Sequence, residues 1–247
     1  MEKTYTETFC VSSTDCDLYS RMRPDALFTA MQEGGERHAL RLGCGHEEML
    51  SRGLFFALTR VHVSMLRAPH AGDTLVHTTW PGNANRFFCP RYHVFSLEDG
   101  TPLCAVGTLW VMLDTQQRKI VSPEKVDLQF PDNSDLPVPV SVNARLPVLG
   151  GTPTVGTRTP VYSEFDVNGH VNNAKYIAWL CDALGRETFR DQIIGDLVAG
   201  YEREIRDDAP KNVLLSREGD SFSFKITSQG GDKHFVAGGT LRREEEP

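Results

Sequence analysis

Asp166-Val167-Asn168-Gly169-His170-Val171-Asn172-Asn173-Ala174-Lys175-Tyr176 is a polar string that runs directly into an apolar helical stripe. Ile177, Leu180, Cys181 and Leu184 continue it at three- and four-residue steps, the spacing of one helix face. Gly169 allows the chain to turn sharply before the helix, and Asn172 or Asn173 suits its N-cap. Upstream, residues 154–161 alternate like an extended strand. Downstream, 213–216, 221–226 and 234–238 read as strands, with a turn signal at Gln229-Gly230-Gly231-Asp232.

The same order occurs once before. An extended segment at 4–11 precedes a helical stripe of Leu27, Met31, Gly34, Gly35, His38 and Leu42. Strand-like runs follow at 60–66, 91–97 and 105–112, with turn signals at Ala71-Gly72-Asp73 and Glu98-Asp99-Gly100. A slide of 149 residues sets Asp17 on Asp166, Tyr19 on Asn168 and Arg21 on His170, so the first copy lacks the amide and the imidazole. Between the copies, Pro123, Pro131, Pro137, Pro139, Pro147 and Pro153 and the cluster Asp132-Asn133-Ser134-Asp135 read as a linker over 123–153. The expected units are 1–122 and 154–247. A strand, one long helix and several antiparallel strands, twice over, is an α+β pattern rather than βαβ. A curved antiparallel sheet wrapped round each helix would bury its stripe.

Bulk properties narrow the class. The 247 residues are 40% hydrophobic and 24% charged, enough apolar material for a core. A net charge of −7 argues against non-specific nucleic-acid binding. The longest apolar run, 54–58, is far short of the ~20 residues of a membrane span, and residues 1–7 lack the apolar core of a signal peptide. The default expectation is a cytoplasmic protein. Cys10, Cys16, Cys44, Cys89, Cys104 and Cys181 show no Cys-x-x-Cys pair and read as free thiols. Nothing calls for a metal or a cofactor.

Asp166, Asn168 and His170 are spaced by two, and on an extended backbone they would project to one side. A carboxylate, an amide and an imidazole beside a helix N-terminus suit a carbonyl oxygen that becomes negative, the situation in acyl transfer. The string also reads as a polar loop with Asn caps and a surface His.

The run 170–176 with Asp166-Val167-Asn168 before it resembles the acyl-acyl carrier protein thioesterases of plants and bacteria. The first half carries matching runs, Val63-Ser64-Met65-Leu66-Arg67-Ala68-Pro69 through Gly72-Asp73-Thr74 and Leu109-Trp110-Val111-Met112-Leu113-Asp114. The second adds Gly200-Tyr201-Glu202-Arg203-Glu204-Ile205. The resemblance implies a double hotdog, with the first half holding the acyl chain and the second catalysing. It implies that Asp166, Asn168, His170 and Glu204 are catalytic, Glu204 lying on a neighbouring strand. Asp166 would attack the thioester carbon or activate water. The partner would be acyl carrier protein with its phosphopantetheine-linked acyl chain, and the reaction the release of a free fatty acid. An acyl-coenzyme A thioesterase, a hotdog dehydratase and a non-catalytic acyl-binding module are the alternatives, and a homodimer is compatible with the sequence.

Plant members of the family carry Cys directly after that Glu, where this chain has Ile205. Cys181, mid-stripe on the helix, reads as core rather than as a replacement thiol. If 201–205 is a strand, Glu202 and Glu204 face away from Tyr201, Arg203 and Ile205, and Glu204 could simply pair with Arg203 or Arg206. Leu54, Phe55, Phe56, Trp80, Phe87, Phe88 and Trp110 are candidates for an acyl pocket. Arg37, Arg41, Arg52, Arg60, Arg67, Arg86 and Arg91 are candidates for a docking strip facing an acidic carrier.

Overall fold

The computed structural model describes residues 1–126, 128, 130–147, 149–150 and 152–244. The first half is built from β1 (Tyr5–Cys10), α1 (Pro24–Arg41), α2 (His46–Ser51), β2 (Leu54–Met65), β3 (Thr74–Pro81), β4 (Phe88–Leu97), β5 (Pro102–Asp114) and β6 (Ile120–Val121). The second half contains β7 (Thr154–Arg158), α3 (Asn173–Leu184), β8 (Gln192–Tyr201), β9 (Lys211–Glu218), β10 (Ser221–Ser228) and β11 (Lys233–Arg243). Pro24 opens α1 at a position where its missing N–H costs nothing. Asn172 is the N-cap of α3, its side chain accepting from the Ala174 N–H at 2.9 Å.

All the strands form one antiparallel sheet in the order β1-β3-β4-β5-β2-β8-β11-β10-β9-β7, with β6 beside β5. β2 and β8 join the two halves, in register from Arg60↔Gly200 to Ser64↔Asp196. The fold is the double hotdog that the sequence leads one to expect. Leu27, Phe28 and Met31 of α1 share one core with Ile177, Leu180 and Leu184 of α3 and with Val61, Val63, Leu197 and Ala199 of the two joining strands. A Cβ at Gly34 would collide with the His77 ring, so that glycine does permit close approach of α1 to the sheet.

Two features depart from the sequence reading. The Pro-rich segment is packed rather than loose. Val140 and Val142 are buried against Gly107, and Asn133 donates to Pro81 O at 2.7 Å. His62 meets Ser141 O at 2.8 Å, so the segment lies on the face opposite the helices, since Val61 and Val63 face the core. The strands β3, β6 and β8 and the helix α2 were not foreseen. Among the described residues no helix is long and apolar enough to cross a membrane.

Candidate active site

The loop between β7 and α3 is a tight turn, not an extended run. Asp166 N–H donates to His170 O at 2.9 Å and Gly169 N–H to Asp166 O at 3.0 Å. Gly169 sits at φ +72°, a region that costs an L-residue with a side chain roughly 1–2 kcal/mol. An extended backbone therefore does not bring these side chains together. Asp166 and His170 meet because they face each other across the turn, with His170 Nδ1 3.3 Å from Asp166 Oδ2. Asp166 Oδ1 is taken by the Asn168 N–H at 2.8 Å. Asn168 itself is exposed, and its side-chain amide has no partner among the described residues.

Glu204 lies beyond the end of β8, not on a strand. The strand stops where the N–H groups of Glu202 and Arg203 both turn to His234 O, at 2.9 and 3.2 Å. The chain is then pinned at Ile205, whose N–H donates to Tyr176 OH at 3.2 Å and whose carbonyl accepts from Val171 N–H at 2.8 Å. Ile205 is buried in the core, so the position where plant members have a thiol supplies packing. Glu204 Oε1 comes to 3.8 Å from His170 Nε2, which leaves the imidazole between two carboxylates. Glu204 Oε2 accepts from Arg118 at 2.6 Å and from Arg206 at 2.7 Å. Burial alone would raise the Glu204 carboxyl. The Arg206 hydrogen bond and the charges of His170, Arg118 and Arg206 outweigh it and hold the group below its ordinary value.

Arg118 was missed by sequence reasoning. It belongs to the first half, on the β5–β6 connection at φ +55°, with its guanidinium 4.7 Å from the Phe55 ring centre. Both halves therefore build the site, and only long-range pairing could have revealed it. Glu164 was missed too. It is buried and accepts from Trp179 Nε1 at 2.8 Å, Arg158 at 2.7 Å and Val161 N–H at 3.0 Å, which anchors the start of the loop to α3.

Other candidates fall elsewhere. Cys181 packs against the core on α3, and burial pushes its thiol up. Leu54 and Phe56 join one apolar cluster, Trp80 a second and Trp110 the main core, while Phe87 is exposed. Arg203 pairs with Asp232 rather than Glu204. Arg37, Arg41 and Arg52 are paired to Glu7, Glu2 and Glu48, and Arg91 meets His38.

The chain matches two family models, the acyl-ACP thioesterase N-terminal domain over residues 2–127 and the acyl-ACP thioesterase C-terminal domain over 153–239. It is 28% identical over 232 residues to the chloroplastic acyl-[acyl-carrier-protein] hydrolase FATB3 of Cuphea viscosissima, covering 87% of this chain and 56% of that protein. With the chloroplastic dodecanoyl-[acyl-carrier-protein] hydrolase of Cinnamomum camphora it shares 25% over 238 residues, 88% of this chain and 60% of the other. The chain thus spans little more than half the length of these curated relatives. The 12:0-ACP thioesterase of Umbellularia californica superposes with a TM-score of 0.86 at 26% identity, covering 98% of each chain. An acyl-ACP thioesterase from Bacteroides thetaiotaomicron does so with a TM-score of 0.88 at 20% identity, covering 97% of this chain and 98% of that one.

Proposed function

The chain belongs to the acyl-ACP thioesterase family, and from that premise we propose that it hydrolyses the thioester of a fatty acyl group carried on acyl carrier protein. The observation that carries the reading is His170 held between Asp166 and Glu204 two residues before the α3 N-cap region ends. Asp166 Oδ2, 3.3 Å from Nδ1, favours the tautomer that carries its proton on Nδ1 and leaves Nε2 free to act. Nε2 takes a proton from water as it attacks the thioester carbon, and returns it to the departing phosphopantetheine sulfur. Glu204 stabilises the imidazolium between these steps, and its second oxygen is held by Arg118 and Arg206. The 3.8 Å separation exceeds a hydrogen bond and would shorten as substrate closes the site. First-turn N–H groups of α3 that lack helical acceptors suit the carbonyl oxygen as it becomes negative. Asn168, exposed beside the turn, would contact the pantetheine arm or the carrier. The acyl chain would lie in the first half.

Thiol release from one acyl group on two carriers tests the substrate. Higher kcat/KM with carrier protein is expected. Preference for coenzyme A would move the chain to acyl-coenzyme A hydrolysis, and loss of water without thiol release would make it a dehydratase. A single turnover in heavy-oxygen water tests the step: label only in the fatty acid supports His170 as base, whereas label in the Asp166 side chain would reveal a covalent anhydride and overturn it.

A further inference from the structure

A cleft opens at the other copy of the turn, in front of α1. It shares no residue with the Asp166–His170–Glu204 cluster. Its walls are apolar and come from both halves: Leu27 and Phe28 of α1, Val63 and Met65 of β2, Ile193 and Leu197 of β8. The polar groups in its lining are Asp17 and Arg21. Arg21 is 5% exposed, and its Nη2 is buried with no hydrogen-bond partner. The guanidinium lies over the Tyr19 ring, 4.9 Å from its centre, and its remaining nitrogens make long contacts. Nε is 3.6 Å from Asp17 Oδ2, and Nη1 is 3.5 Å from Gln192 O and 3.2 Å from Glu244 Oε2. The other oxygen of Glu244 accepts from the Ala68 N–H at 3.2 Å.

Glu244 therefore shows what the position binds. Two donors, Arg21 Nη1 and the Ala68 amide, each hold one oxygen of a single carboxylate at an apolar cleft. A buried guanidinium with an idle Nη2 donor has unused binding capacity, and leaving such a donor unsatisfied is costly. Replacing Glu244 by another carboxylate leaves the local charge unchanged. It also adds what Glu244 lacks, an aliphatic tail for the six apolar side chains, each buried methylene contributing ~0.8 kcal/mol.

We propose that this cleft is a second ligand site that takes an aliphatic monocarboxylate, its head on Arg21 and the Ala68 amide, and that Glu244 occupies the head position when the site is empty. The ligand class is the free fatty acid itself, but binding here needs no turnover. The site would stand if the chain proved not to be a hydrolase.

Equilibrium dialysis of the full chain against labelled octanoate, with octanol as the uncharged control, tests it. Glu244→Ala removes the internal competitor. Octanoate should then bind about tenfold tighter or better, a change of ~1.4 kcal/mol, while octanol gains nothing. Adding Arg21→Gln should abolish the gain. If Arg21→Gln does not fold, the octanoate–octanol contrast in Glu244→Ala decides alone. Octanoate affinity unchanged by Glu244→Ala, or an equal gain for octanol, overturns the proposal.

Discussion

Before α1, Asp17 N–H donates to Arg21 O at 2.8 Å, Ser20 N–H to Asp17 O at 3.1 Å, and Tyr19 N–H to the Asp17 carboxylate at 2.8 Å. Before α3 the same three bonds recur from Asp166 to His170, Gly169 to Asp166 and Asn168 to the Asp166 carboxylate, at 2.9, 3.0 and 2.8 Å. Single bridges, Cys16↔Met22 and Phe165↔Val171, close both turns. The backbone is one device used twice. Arg21 and His170 occupy equivalent places, but a guanidinium stays charged and only donates, whereas an imidazole can accept and return a proton near neutral pH. Arg21 also faces an apolar cleft and Glu244, while His170 faces a carboxylate held by Arg118 from the other half. Turn geometry brings the groups together, and the side chains at its two ends decide what it does.

The strongest way to break this contrast is to remove the groups proposed for acid–base work. Asp166→Asn or His170→Ala should lower kcat at least ~100-fold with the fold kept, while Asp17→Asn leaves the rate within a few-fold. Equal losses in steady-state thiol release from both turns would end the distinction. The halves should also differ in acid. Burial, first among the causes, lowers His38 and His77 to about 4 and His93 well below its ordinary value in the first half, against His234 alone in the second. The unfolded chain would bind protons near 6.5 that the folded one refuses, so stability present above pH 6.5 is lost as pH falls toward 4. The loss is read as a falling Tm between pH 7 and pH 4.5. Hydrogen exchange should rise in β3 and β4 before β9 and β10, and the reverse order would refute the assignment. Glu204→Gln should cost about tenfold in kcat, ~1.4 kcal/mol, and Arg118→Ala less, by single-turnover rates. Last come the turns themselves. Ser20→Gly should raise Tm by about 2–4 °C, since Ser20 sits at φ +64°, and Gly169→Ala should lower it by a similar amount. Opposite signs at either position would mean that the two turns are not equivalent in solution.

Much of this was legible in the sequence. The helical stripes, the repeat, the N-cap at Asn172 and segments of eight of the eleven strands follow from local periodicity and turn chemistry. β8 did not, because Gly195 and Gly200 interrupt its local strand pattern. In the sheet these glycines make room for the Arg242 and Val236 side chains. The carboxylate–imidazole pair could be named but not its geometry, since a turn at Gly169 replaces the extended run that the two-residue spacing suggests. Glu204 was reached only through the family resemblance. Arg118 needed the pairing of β2 with β8, which brings distant parts of the chain side by side and leaves no local mark in sequence.

That pairing has a further consequence. The seam from Arg60 to Ser64 and from Asp196 to Gly200 is the only ladder that ties one half's strands to the other's among the described residues. Cut within 130–147, each fragment would present a bare row of amide and carbonyl groups along β2 or β8, flanked by apolar side chains that had been shared. Complementary fragments made together should reassemble through that row, whereas either made alone would seek a substitute strand and aggregate.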